Sequence, residues 1–183
     1  GDNRGPAIQL FMSDTTFVNG GYTNANTRLV GVLTDESGIN LSGYEPGNLI
    51  AVLDGEKTFV VNDYYVADQD DYTSGTFSYP LFDLSPGRHT IRFTASDNHN
   101  NEAVATIEFE VGKENELLIE ALNNYPNPFS ESTLVEFSHS RSGEDLKAQV
   151  VIYDVMGQLA GSHEFHVPAS TYKVRLFEWD GTG

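Results

Sequence analysis

Apolar residues recur at every second position in short runs along this chain, a spacing that covers one face of a β-strand but no face of an α-helix. The runs are Ile8, Leu10 and Met12, then residues 29–33, 49–53, 59–61 and 77–81, then Ile91 and Phe93, then 104–111. Between them stand Asn19-Gly20-Gly21, Glu45-Pro46-Gly47, Asp54-Gly55, Ser74-Gly75, Ser85-Pro86-Gly87 and Asn98 to Asn101. Gly and Asn accept positive φ and Pro presets it, so each of these is a turn. Seven strands at this spacing predict a sandwich or barrel rather than βαβ units. Five further strands are expected at 117–122, 133–137, 149–153, 158–167 and 172–179, with a tight hairpin turn at 154–157.

Residues 112–116 are polar and carry no period, as a hinge between separately packed cores requires. The sequence therefore predicts a first domain over residues 1–112, a linker over 113–118 and a second domain over 119–183. With 39% hydrophobic and 11% aromatic residues among 183, two small cores form without staples. The absence of Cys excludes disulfides, thiolate metal sites and cysteine nucleophiles in these residues. Acidic residues number 27 against 10 basic, and the resulting charge of −17 disfavours nucleic acid and anionic lipid as partners. No run of 18 apolar residues occurs, so no helical membrane span is expected. Beginning Gly1-Asp2 without Met or a leader, the chain reads as a piece that followed a larger N-terminal region.

No residue pattern here announces catalysis. There is no G-x-S-x-G elbow and no strand-to-helix turn to mount one, so this fragment is expected not to be an enzyme and to carry no cofactor. His163 and His166 suggest a metal pair, but residues three apart on a strand face opposite ways, so both are read as surface histidines. His89 is read as a structural hydrogen-bonding residue. Asp68, Asp70 and Asp71, with Asp63 nearby, are the candidate oxygen ligands for Ca²⁺, although no Gly-turn loop of fixed ligand spacing accompanies them and a solvated acidic loop is the leading reading. Tyr64, Tyr65, Tyr72 and Tyr79 offer a stacking surface for carbohydrate, against which alternation places half of them in the core. The two prolines of Tyr125-Pro126-Asn127-Pro128-Phe129 suit an extended strap whose Tyr and Phe plug the second core, and Trp179 is expected to pack there too.

Several of these motifs also carry a resemblance. Leu84-Ser85-Pro86-Gly87-Arg88-His89 followed by Ala95-Ser96-Asp97 resembles the corner of many bacterial immunoglobulin-like domains, with His89 where a tyrosine is usual. Tyr125-Pro126-Asn127-Pro128-Phe129, then Tyr153, Asp154 and Gly157, then Trp179-Asp180-Gly181 resemble the C-terminal sorting domain of type IX secretion cargo and the immunoglobulin-like domain of flagellar hook-capping proteins. In the first domain, Val61-Asn62-Asp63-Tyr64-Tyr65, Asp70-Asp71-Tyr72-Thr73-Ser74-Gly75 and Tyr79-Pro80 resemble the region after the catalytic domain of the type IX secretion sortase, a gingipain-type cysteine peptidase homologue. The sequence has Gly47-Asn48-Leu49 where that family often has G-H-D, and Ser96-Asp97 where it often has Trp-Asp.

The resemblance implies an all-β chain of two immunoglobulin-like β-sandwiches in tandem, the second truncated because its final strands would lie beyond Gly183. It implies a non-catalytic accessory and sorting region of a bacterial protein, secreted through the periplasm to the outer surface of a Gram-negative cell. Its implied partners are the type IX machinery or an outer-membrane protein, together with an upstream peptidase or sortase domain of its own. An adhesion module binding glycan, protein or Ca²⁺ is the alternative, and a loop lent to a protease active site is a third. A second domain lacking its last strands is expected to leave residues 149–153 with an open edge, either poorly ordered or paired with another molecule as a fragment dimer.

Overall fold

The computed structural model describes residues 3–113 and 116–182. Gly1, Asp2, Glu114, Asn115 and Gly183, and with them part of the expected linker and both chain ends, lie outside the described residues. The chain divides into two compact units, Gly1–Asn115 and Glu116–Gly183.

Unit 1 contains β1 (Ala7–Met12), β2 (Tyr22–Thr23), β3 (Thr27–Thr34), β4 (Ile50–Leu53), β5 (Lys57–Val60), β6 (Tyr65–Asp68), β7 (Asp71–Leu81), β8 (Gly87–Ser96) and β9 (Glu102–Val111), with a single 3-10 turn at Asn62–Tyr64. All seven strands expected from the alternation form. Two more exist through pairing: β2, of two residues, parallel to the end of β9, and β6, whose burial does not alternate, antiparallel to β7. The strands make two sheets, ordered β1-β3-β7-β6 and β2-β9-β8-β4-β5. Leu29 and Leu33 of β3 and Phe77 and Leu81 of β7 are buried on one sheet, and Ala51, Leu53, Ile91, Phe93, Ile107 and Phe109 on the other. Phe77 stacks on Phe93 with ring centres 4.9 Å apart, joining the two layers face to face. Each such fully buried large side chain contributes about 1.5–3 kcal/mol relative to exposure.

Side chains hold the loops of unit 1 where the ladders stop. The Asn62 amide accepts from the Leu49 backbone N–H at 2.7 Å and donates to the Gly47 carbonyl at 2.9 Å. Asp97 is completely buried, and its Oδ1 accepts the backbone N–H groups of His99 and Asn101, both at 2.8 Å. Its Oδ2 accepts the Asn101 side-chain amide at 2.7 Å. A carboxylate can be buried here because three donors replace its hydration.

Unit 2 contains β10 (Ile119–Tyr125), β11 (Thr133–His139), β12 (Leu146–Tyr153), β13 (Leu159–Val167) and β14 (Lys173–Trp179), in a three-stranded sheet β10-β11-β14 and a two-stranded sheet β12-β13. Leu118, expected in the linker, already belongs to this unit: its N–H donates to Ser140 Oγ and its carbonyl accepts the Ser140 N–H, each at 3.0 Å. The buried apolar residues are Val135, Phe137, Tyr172 and Val174. Phe177 of β14 lies 5.0 Å from Phe165 and 4.8 Å from His163 of β13, so the smaller sheet packs over the larger through these rings. The chain is thus all-β throughout its described residues, one 3-10 turn apart.

Replacing the buried acceptor leaves three donors stranded. Asp97→Ala is expected to lower the unfolding free energy by about 3 kcal/mol, read as a fall in the denaturant midpoint with an unchanged slope.

Candidate interaction surface

His89 and His139 are engaged in structural contacts. His89 Nδ1 faces Asp54 Oδ2 at 2.7 Å and its Nε2 faces the Ser85 carbonyl at 2.7 Å, so one ring ties the 85–87 turn to the 54–55 hairpin while stacking on Phe109. Both ring nitrogens are occupied, which leaves none for proton transfer to a substrate. His139 is buried, donates from Nε2 to the Thr171 carbonyl at 2.9 Å and accepts the Arg141 N–H at Nδ1. His163 and His166 do project from opposite faces of β13, but His163 is not a surface residue. Period-two alternation turns it inward against Phe165 and Phe177, and its Nε2 is buried with no hydrogen-bond partner among the described residues.

The acidic hairpin between β6 and β7 binds itself. Asp71 Oδ1 accepts the Thr73 hydroxyl at 2.5 Å and the Thr73 N–H at 2.8 Å, and Ser74 Oγ donates to Asp68 Oδ2 at 2.5 Å. The Thr73 hydroxyl, then the Thr73 N–H and the Ser74 hydroxyl, hold the Asp71 carboxyl below its ordinary pKa. Asp70 occupies the turn at φ +59°. Among the described residues no three acidic or histidine side chains gather as a metal site, so the structure does not bring Asp68, Asp70 and Asp71 together around one ion.

None of the four tyrosines enters the buried core. Tyr72 is 73% exposed and Tyr64 is exposed, while Tyr65 and Tyr79 are half-buried. Tyr79 shares the inward face of β7 with Phe77, but it reaches the rim of the sheet, where its ring meets Phe59 at 5.2 Å and Tyr64 at 4.8 Å. Tyr65 lies over Gly75, and burial, then Asp68 and Asp71, raise its phenol above the ordinary value.

In unit 2 the signature residues fall at three corners. The strap is pinned where the Pro126 carbonyl accepts the Thr133 hydroxyl at 2.8 Å, with cis peptides before Pro126 and Pro128. Tyr125 does not plug the core, being 77% exposed. The bulge between Glu120 and Asn123, with Ala121 at φ +45°, resets the alternation and sets Tyr125 opposite Leu134, on the face away from Val135. Asn127 reaches back toward Asn124, and Phe129 packs on Trp179 at 5.7 Å and against Gly181. Trp179 is half-buried rather than sealed; its Nε1 donates to the Thr182 carbonyl at 2.7 Å, while Asp180 Oδ1 accepts the Thr182 N–H and hydroxyl. At the third corner Asp154 Oδ1 accepts the N–H groups of Met156 and Gln158, and Gly157 takes φ +82°. Tyr153, Val155 and Met156 are exposed there.

A feature that the alternation did not reveal lies beside β12. An open groove of about 380 Å³ is lined by Leu117, Ile119 and Leu122, by Phe137 and Leu176, and by residues 146–151 of β12. Ile119 is 53% and Leu122 68% exposed. The only hint in the sequence is the apolar run 117–122 itself, which nothing in the sequence says is left uncovered.

The described residues form an all-β protein whose exposed features lie at strand edges and loops, and among them no three acidic or histidine side chains gather as a metal site. Across solved structures, the chain is similar to the crystal structure of dimeric latent PorU from Porphyromonas gingivalis, with a TM-score of 0.58 and 30% identity. The match covers 98% of this chain and 17% of the PorU chain, so the chain spans about a sixth of that protein's length. No protein-family model and no curated protein matches it.

Buried Tyr172 supplies a pH test of unit 2. Its hydroxyl donates to Glu120 Oε2 at 3.1 Å, and burial, followed by the Glu120 charge, pushes its pKa from 10.0 up to about 12. The folded chain holds this proton more tightly than the unfolded chain, so the associated stability is complete below pH 10.0 and is lost as the pH rises toward 12. Tyr172→Phe is expected to make the alkaline loss of stability shallower, read from urea midpoints across that range.

Proposed function

We propose that this chain is the non-catalytic accessory and sorting region of a type IX secretion protein, two immunoglobulin-like sandwiches in tandem that follow a peptidase or sortase domain. Unit 1 is the accessory module next to that domain. Unit 2 is the sorting domain that directs export through the periplasm and attachment at the outer membrane. The observation that carries this reading is the likeness to PorU, the type IX sortase, which runs through 98% of the chain at 30% identity. The engagement of His89 and His139 in structural bonds supports a region without chemistry of its own. The three exposed corners of unit 2 support recognition by surface rather than by pocket.

A second reading, an adhesion module, is favoured by one observation: Phe59, Tyr64 and Tyr79 form a partly exposed aromatic cluster of the kind that stacks on sugar rings. Binding of oligosaccharides that is lost in Tyr64→Ala would favour it over the first.

The first reading is tested by fusing the chain behind a soluble reporter in a Gram-negative bacterium that carries the type IX system. The reporter is expected at the cell surface, accessible to added protease. With Pro126, Asn127 and Pro128 each changed to Ala it is expected to remain in the periplasm, provided the purified fusion still melts cooperatively. An unaltered fusion retained in the periplasm refutes the sorting role.

A further inference from the structure

Four large apolar side chains gather at the turn between β12 and β13 and point into solvent. Val155 is fully exposed and Met156 is 78% exposed. Tyr153 and Leu159, paired across the mouth of the turn, are 62% and 64% exposed. Scattered single apolar residues are ordinary on a protein surface, whereas a contiguous group marks contact with another apolar body.

The chemistry around the turn says which body fits. Charged residues make up 20% of the chain, yet from Ala148 to Ser162 the one charged side chain is Asp154. That carboxylate is turned to the backbone, its Oδ1 accepting the N–H groups of Met156 at 2.8 Å and Gln158 at 2.9 Å. The Asp154 N–H donates to the Gln158 carbonyl at 2.9 Å, and the Asp154 carbonyl accepts the Gly157 N–H at 3.0 Å. Four main-chain donors of the tip are therefore bonded within it. An N–H without an acceptor is costly in hydrocarbon, so a turn that closes its own donors is suited to entering lipid. The same closure leaves a protein partner few donors to engage, although a protein interface carries about one hydrogen bond per 100–200 Å². A projecting point also needs no matching pocket in a fluid surface. The headgroup charge follows from the chain: with no Lys or Arg between Ala148 and Ser162 and a net charge of −17, anionic lipid is repelled.

We propose that the β12–β13 turn inserts into the surface of a zwitterionic phospholipid bilayer. Val155 and Met156 enter the upper acyl region, while Asp154 stays at the headgroups beside Tyr153, whose ring is apolar and whose hydroxyl is wet. An anchor of this size binds weakly and reversibly. The inference does not rest on the sorting role.

Flotation of the full chain with phosphatidylcholine vesicles tests this. The chain is expected to rise with the vesicles. The double variant Val155→Ser, Met156→Ser alters only exposed side chains, so it is expected to keep the thermal melt and to weaken partitioning about tenfold. Because the chain has no Cys, Met156→Cys accepts a single fluorophore, which lipids bearing a nitroxide near the top of the acyl chain are expected to quench. The same label at Lys147→Cys, at the far end of β12, is expected to stay bright. Absence of flotation at millimolar lipid overturns the proposal. So does flotation that the double variant leaves unchanged, a label at position 156 that stays bright, or binding that strengthens when phosphatidylglycerol is added. A chain that ignores vesicles but self-associates until the double variant abolishes it assigns the tip to a second copy, and overturns the proposal as well.

Discussion

Phe77 occupies the space that a side chain at position 31 would fill. A Cβ on Gly31 would stand 2.0 Å from Phe77 Cε1, so only glycine lets the ring lie flat across the neighbouring strand. From there Phe77 reaches Phe93 on the opposite sheet. The burial of Leu29, Leu33, Ile91 and Phe109 on the same facing surfaces follows from that closure, because a dense core tolerates neither a gap nor an intruding methyl group. The loops then need only local anchors, and Asn62, His89 and Asp97 provide them with side-chain hydrogen bonds.

Unit 2 solves the same problem with less material. Five strands divide into sheets of three and two, and the rings that join them, His163, Phe165 and Phe177, lie along the β13–β14 side. The β12 side has no such filling, and the inward residues of that strand are only half-buried. Few buried apolar groups and an unpaired ladder place this side at the low-stability end of the unit.

The prominent side chains of unit 2, Tyr125, Tyr153, Val155 and Met156, stand at corners whose backbone is fixed by Thr133 and Asp154. Rigid corners bearing exposed apolar groups lose little conformational entropy on docking. Aromatic residues at the rim of unit 1 have the same character on a smaller scale.

The strand content was legible in the sequence because side-chain direction in a strand is a local property with period two, so seven of the nine strands of unit 1 and the five of unit 2 could be placed from apolar spacing and turn residues. The opposed directions of His163 and His166 and the hydrogen-bonding role of His89 were legible on the same terms. What depends on long-range pairing was not. The bulge at Ala121 reversed Tyr125, and the rim position of Tyr79 kept it out of the core. The folding of Asp68 and Asp71 onto Ser74 and Thr73 was likewise decided by the hairpin. The groove beside β12 belongs entirely to tertiary structure. Alternation specifies which residues turn inward, but whether a neighbouring strand covers them depends on how the sheets are assembled.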